Sequence, residues 1–214
     1  MSIPAKSIES LAKAITQSRL LGTRLKESFA DNIHEAYQIL DRIIETKEPG
    51  FGKQVGWKLG ATNQGALSSL QLDKAFFGPL FENFIYSPDA VVELAQLGIF
   101  RAAEAEFCII LKGDLLSKMD GSEHTLAEVS AQIGGVAPAI ELAATRYECP
   151  ITAPIAISDL ALNGMCCIGD KILLPPAADG LSSCEASLEI DGVEVSACTT
   201  LILIYVCSYL VTNR

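Results

Sequence analysis

Apolar residues recur at helical spacing only near the start of the chain. Ile8, Leu11, Ala12 and Ile15 form one stripe, and Ile33, Ala36, Tyr37, Leu40 and Ile44 form a second. Asn32, with Glu35 three residues on, is a candidate cap for the second helix, and Glu48-Pro49-Gly50 ends it with a turn. Gly22 and the polar stretch around Asp31 separate the two. Beyond this point the pattern changes to short apolar runs. Residues 55–60 predict a strand, residues 76–80 read as a loop that brings aromatic side chains near a site, and residues 136–143 predict another strand. Between them, Thr125-Leu126-Ala127-Glu128 has capping-box spacing and predicts a short helix running toward Gly134-Gly135. Residues 155–159 and 165–169 fit two further elements around a polar break at Asn163-Gly164. Residues 186–195 predict a β-hairpin, because Asp191-Gly192 supplies the positive φ angles of a type I′ turn between alternating strands. The nearly continuous apolar run 201–211 is too short for a bilayer, which needs about 20 residues, and predicts a buried central strand or an oligomer contact.

The expected fold class is α+β: a helical segment over residues 1–50 followed by a strand-rich domain over residues 51–214. At 214 residues, half of them hydrophobic, the chain can bury a full core. A formal net charge of −10 and a pI near 4.7 oppose a nucleic-acid partner, which clustered Lys and Arg would have to hold. Met1 to Lys6 lack the apolar centre of a signal peptide and no run spans a bilayer, so a cytoplasmic protein without a membrane partner is expected. The seven cysteines are an odd number with no C-x-x-C spacing, and they read as reduced thiols rather than a zinc site or a disulfide framework. Cys166 and Cys167 would leave a strand on opposite faces.

Charge in apolar company is what changes this picture. Glu104 and Glu106 stand two residues apart in a run that otherwise reads as a buried strand, so both carboxylates leave the same face. Two such groups repel and are costly to dehydrate unless a cation sits between them, and a hard divalent ion, Mg²⁺ or Mn²⁺, prefers oxygen ligands. Glu141, inside another apolar run, is a candidate third ligand. The competing reading puts Glu104 and Glu106 on a solvated strand face and pairs Glu141 with Arg101 or Arg146. Lys58, between Trp57 and Leu59 and flanked by glycines, is the candidate base. Its rival reading is a surface lysine with its stem laid along apolar neighbours. His34 and His124 read as structural or solvated. Neither a G-x-S-x-G elbow nor a phosphate-binding glycine loop occurs.

Gly56-Trp57-Lys58-Leu59-Gly60-Ala61-Thr62, Phe77-Gly78-Pro79-Leu80, Arg101-Ala102-Ala103-Glu104-Ala105-Glu106, Pro138-Ala139-Ile140-Glu141 and Ile157-Ser158-Asp159 follow one another in an order that resembles the 2-keto-4-pentenoate hydratases, 2-oxohept-3-enedioate hydratases and 4-oxalocrotonate decarboxylases of the fumarylacetoacetate hydrolase superfamily. The resemblance implies a mixed β-roll, often in homo-oligomers, with Mg²⁺ or Mn²⁺ on Glu104, Glu106 and Glu141. It also implies Lys58 and Asp159 as catalytic residues, with Thr62 and Phe77 on the substrate. The implied reaction is hydration of a small 2-hydroxy-2,4-dienoate in aromatic-compound catabolism. Decarboxylation of a 4-oxalocrotonate-type acid, or a non-catalytic subunit partnering a pathway enzyme, are the alternatives. The chain departs from the family at Asp159-Leu160, where Asp-Asn is usual, and again after about Ser196. An incomplete roll, such as a shifted reading frame would leave, is therefore expected at the C-terminal end.

Overall fold

In the computed structural model, residues 7–26, 30–172, 185–198 and 204–207 are described. Ser7 caps helix α1 (Ile8–Leu21) in a reciprocal box with Ser10, and Asn32 caps α2 (Ile33–Thr46) by accepting from the Glu35 N–H. Both amphipathic stripes turn inward: Leu11, Ala12 and Ile15 of α1 and Ala36, Ile39, Leu40 and Ile43 of α2 are buried. They share one apolar cluster with Phe51, Phe76, Phe81, Tyr147, Ile155 and Ile157. The helical segment and the strand-rich part therefore have a core in common.

Seven strands form the main sheet in the order β2-β1-β9-β4-β5-β6-β3 among the described residues. They are β1 (Gln54–Gly60), β2 (Phe76–Phe81), β3 (Ile85–Tyr86), β4 (Ile99–Leu111), β5 (Ile133–Thr145), β6 (Asn163–Ile168) and β9 (Ile204–Cys207). Short helices α3 (Gln64–Leu70), α4 (Leu126–Ala131) and α5 (Ala153–Ser158) fill the connections. The hairpin β7 (Ala186–Ile190) and β8 (Val193–Cys198) makes a separate two-stranded sheet, and its Asp191-Gly192 turn has φ of +53° and +78°. β9 comes from the apolar C-terminal run and inserts between β1 and β4, antiparallel to the first and parallel to the second. The central-strand expectation thus describes residues 204–207, while residues 201–203 and 208–211 lie outside the described part, as do Met1 to Lys6. No helix among the described residues is long and apolar enough to cross a membrane.

Three local expectations are corrected. Residues 76–80, read as a loop, form the antiparallel edge strand β2, with Gly78 opposite Lys58 and Pro79 opposite Trp57. An edge tolerates a proline that cannot donate to a ladder. The break expected at Asn163-Gly164 lies earlier, since Asn163 already opens β6 and the chain turns at Leu160, Ala161 and Leu162, with φ of +55°, +55° and +61°. Those residues carry no turn signal. Burial of Leu160 and Ala161 holds them in a left-handed path that side chains normally avoid. The helix capped by Thr125 and Glu128 ends at Ala131, and Gly134-Gly135 belong to β5 because that strand pairs with β4 along its whole length.

The left-handed turn presses on β2, the strand paired with the one that carries Lys58. A Cβ at Gly78 would run into the Ala161 Cβ and lie 3.1 Å from the Leu160 carbonyl carbon. Gly78→Ala is expected to destabilise the protein by about 1–3 kcal/mol through overpacking, read as a lower midpoint in urea with an unchanged slope. A variant as stable as the parent would show that the turn yields freely.

Candidate metal centre

β4 and β5 run antiparallel with Glu104 directly opposite Glu141, and Glu106 follows Glu104 on the same face. One carboxylate oxygen from each of the three lies within 4.8 Å of the others. Glu106 is 1% exposed and Glu141 0%, while Glu104 is half-buried. From β1, Lys58 donates to both Glu141 oxygens at 2.9 and 2.8 Å. Lys58 is itself 3% exposed, so this is a buried ion pair. Neither the solvated-face reading of Glu106 nor the pairing of Glu141 with Arg101 or Arg146 describes the structure.

Among the described residues, three carboxylates against one ammonium leave the cluster short of positive charge. Neither oxygen of Glu106 has a hydrogen-bond partner among the described residues. Its carboxyl is pushed up to about 9, by burial first and then by Glu141 and Glu104, with Lys58 opposing. Cys108, Ala137, Ala139 and Cys166 make the surrounding wall apolar, which strengthens every one of these effects. The donor set fits a hard divalent cation: three carboxylates at close range, one of them buried and unpartnered.

The other expected residues fall elsewhere. Trp57 leaves β1 on the face opposite Lys58, and Phe77 joins it there, its ring edge-on to Trp57 at 5.5 Å and tilted on Tyr37 at 4.8 Å. Strand alternation thus removes Phe77 from the Lys58 face. Thr62, half-buried, follows Ala61 just beyond the end of β1. Asp159 is fully buried and does not join the cluster. Its Oδ1 accepts from Arg146 Nε at 2.7 Å, and its Oδ2 accepts from the Thr145 hydroxyl and the Arg146 N–H, each at 2.8 Å. Arg146 also donates to the carbonyls of Ala144, Asp159 and Asn163, so this network ties the end of β5 to the left-handed turn. Sequence reasoning missed Arg146 as Asp159's partner, and its only signal was a charged residue in an apolar run.

No family model matches the chain. It is similar to 2-hydroxypent-2,4-dienoate hydratase of Pseudomonas putida, 26% identical over 185 residues that cover 86% of this chain and 81% of that one. It is also similar to 2-hydroxyhexa-2,4-dienoate hydratase of Comamonas testosteroni, 26% identical over 79% of this chain but only 63% of the relative's length. The 4-oxalocrotonate decarboxylase of Pseudomonas putida is 30% identical over 121 residues, 56% of this chain and 42% of that one. Among solved structures, the 4-oxalocrotonate decarboxylase from Pseudomonas putida G7 complexed with magnesium and adipate superposes with a TM-score of 0.78 at 24% identity, covering 92% of this chain and 75% of that one. The same enzyme complexed with calcium and acetate gives 0.77. The chain is thus similar in sequence to 2-hydroxydienoate hydratases and 4-oxalocrotonate decarboxylase, and it shares the fold of the solved 4-oxalocrotonate decarboxylase.

The raised carboxyl of Glu106 sets a pH dependence. Between its ordinary value of 4.5 and about 9 the folded metal-free protein keeps a proton that the unfolded chain releases. Stability is therefore full below the lower value and falls as pH rises toward the upper one. Urea unfolding in EDTA is expected to show that fall, and Glu106→Gln to flatten it. A parent protein with the same pH slope as the variant would remove Glu106 as the cause.

Proposed function

We propose that the chain hydrates a small 2-hydroxy-2,4-dienoate to a 4-hydroxy-2-oxo acid, using a divalent cation, Mg²⁺ or Mn²⁺, held by Glu104, Glu106 and Glu141. The observation that carries this reading is the cluster of three carboxylates, two of them fully buried, with a single ammonium against it among the described residues. Relatives named as hydratases of such dienoates support the choice of substrate. When bound, the cation would supply Lewis-acid charge to the substrate's carboxylate and 2-oxygen. Lys58, oriented by both oxygens of Glu141, is suited to exchanging the proton of the 2-hydroxyl and to steadying negative charge on that oxygen. The apolar wall around the cluster limits water, so that such charge is felt strongly. Thr62 is assigned to the substrate. Asp159 is assigned a positioning role, because Arg146 and Thr145 occupy both of its oxygens.

Decarboxylation of a vinylogous 2-oxo acid is the second reading, favoured by the likeness to 4-oxalocrotonate decarboxylase in fold and over 121 residues. Stabilising an enolate serves both reactions. The same proposal takes the protein as a cytoplasmic homo-oligomer. Leu188, Ile190, Val193 and Val195, exposed along one side of the hairpin, support an interface.

The metal-loaded protein with 2-hydroxypenta-2,4-dienoate is expected to consume the dienol absorbance without releasing CO₂. Release of CO₂ from 4-oxalocrotonate would favour the second reading, and silence with both would reject an active enzyme. Calorimetry is expected to show that Glu106→Gln weakens Mg²⁺ or Mn²⁺ binding by more than about 100-fold, since even groups behind the ligands cost about 10- to 100-fold. Unchanged affinity would refute the ligand set. Lys58→Met, assayed with metal, is expected to lower kcat by about 100-fold or more with a smaller effect on KM.

A further inference from the structure

Leu160, Ala161 and Leu162 stand in the left-handed region one after another, with φ of +55°, +55° and +61°. That path crowds the Cβ of an L-residue and is the ordinary place of glycine or asparagine. Such runs persist only where the surroundings impose them, and they gather at sites where geometry matters more than stability. Here the imposition is visible. The Leu162 N–H donates to the Asp159 carbonyl at 3.0 Å and the Asn163 N–H to the Leu160 carbonyl, while Arg146 donates to the carbonyls of Asp159 and Asn163 on either side. Leu160 and Ala161 are buried in the cluster that the helices share with Phe76, Phe81 and Ile157. Burial offsets much of the backbone cost for a leucine, but a single methyl gains little from it. Stability alone would favour glycine at position 161.

What that methyl touches supplies a reason for it. The turn packs against β1, β2 and β5, the strands that carry Lys58, Gly78 and Glu141. Gly78 is directly opposite Lys58, so a side chain at 78 would stand beside the lysine stem on the same face of the sheet. The Ala161 Cβ already fills that place, since a Cβ on Gly78 would collide with it. The Lys58 stem therefore cannot turn toward β2 without meeting the methyl. We propose that Ala161 is a positioning residue: its methyl, held by the strained turn, is the wall that keeps the Lys58 stem directed at Glu141. A lysine side chain samples many rotamers, and a wall on one side leaves fewer of them to lose when both hydrogen bonds to Glu141 form. The consequence for catalysis rests on the role proposed for Lys58, whereas the ion pair can be observed without any reaction.

NMR of the nitrogen-labelled full chain, in EDTA at one fixed pH, reads the pair directly, because a buried ammonium bonded to a carboxylate exchanges its protons slowly with water. The parent is expected to show a protected lysine ammonium signal. Lys58→Met combined with Glu141→Gln, which leaves no bare carboxylate from the pair, is expected to remove it and so assign it. Ala161→Gly, whose backbone accepts the same φ, is expected to fold and to lose the signal. Adding Gly78→Ala to Ala161→Gly moves the methyl from the turn to the strand and is expected to restore it. In the metal-loaded protein with 2-hydroxypenta-2,4-dienoate, Ala161→Gly is expected to lower kcat by about 10-fold or more with KM within about 2-fold of the parent. A parent without a protected ammonium, a signal unchanged in Ala161→Gly, or a loss that the relocated methyl does not restore overturns the proposal. An inactive parent would reject the proposed reaction and leave the ammonium signal to decide the role of Ala161.

Discussion

The buried pair between Lys58 and Glu141 joins parts of the chain 83 residues apart and sets the charge at the centre of the sheet. Removing two ions from water is costly, and such a pair persists only with good geometry. Here the ammonium donates to both carboxylate oxygens, which is the most that one lysine can give one glutamate. That arrangement uses the ammonium that acts on Glu106, so among the described residues Glu104 and Glu106 have no second cation to share. The surplus negative charge beside an apolar wall is the feature from which both the metal reading and the pH behaviour of Glu106 derive.

A second ionic network shows the opposite economy. Arg146 and Asp159 are as deeply buried as the carboxylate cluster, yet Asp159 has both oxygens engaged and Arg146 reaches three carbonyls besides, with its Nη1 left without a partner among the described residues. Engaged carboxylates rigidify and specify, whereas a buried carboxylate with no donor calls for a cation or a proton. Asp159 belongs to the first kind and Glu106 to the second. The left-handed turn at Leu160 to Leu162 is flanked by carbonyls that accept from Arg146, and it packs against Gly78 opposite Lys58. The scaffold and the candidate centre therefore meet at one strand pair.

Local periodicity was enough to read much of this molecule. The i, i+2 spacing of Glu104 and Glu106 put both on one face because alternation is a property of any strand, and the stripes on α1 and α2 follow from the helical repeat. Caps at Asn32 and Thr125 and the Asp191-Gly192 turn were legible because each involves residues no more than a few positions apart. Phe77 shows where such reading stops. An aromatic residue near Gly-Pro gives no hint of its face until the register of β2 against β1 is known, and that register sends it to Trp57 and away from Lys58.

By itself, then, the sequence determined the α+β class, the helices and most strands, the shared face of two carboxylates and the likeness to dienoate hydratases and oxalocrotonate decarboxylases. The tertiary structure alone decided that Glu141 lies opposite Glu104, that Lys58 rather than an arginine meets it, and that Asp159 serves Arg146. It alone also inserted β9 between β1 and β4 and drove Leu160 to Leu162 into a left-handed turn without a glycine. The reason is physical: side-chain alternation and helical repeat are fixed by neighbouring backbone. Which buried charges pair depends instead on strands brought together from distant parts of the chain, where the cost of leaving a charge unpaired selects among the partners within reach.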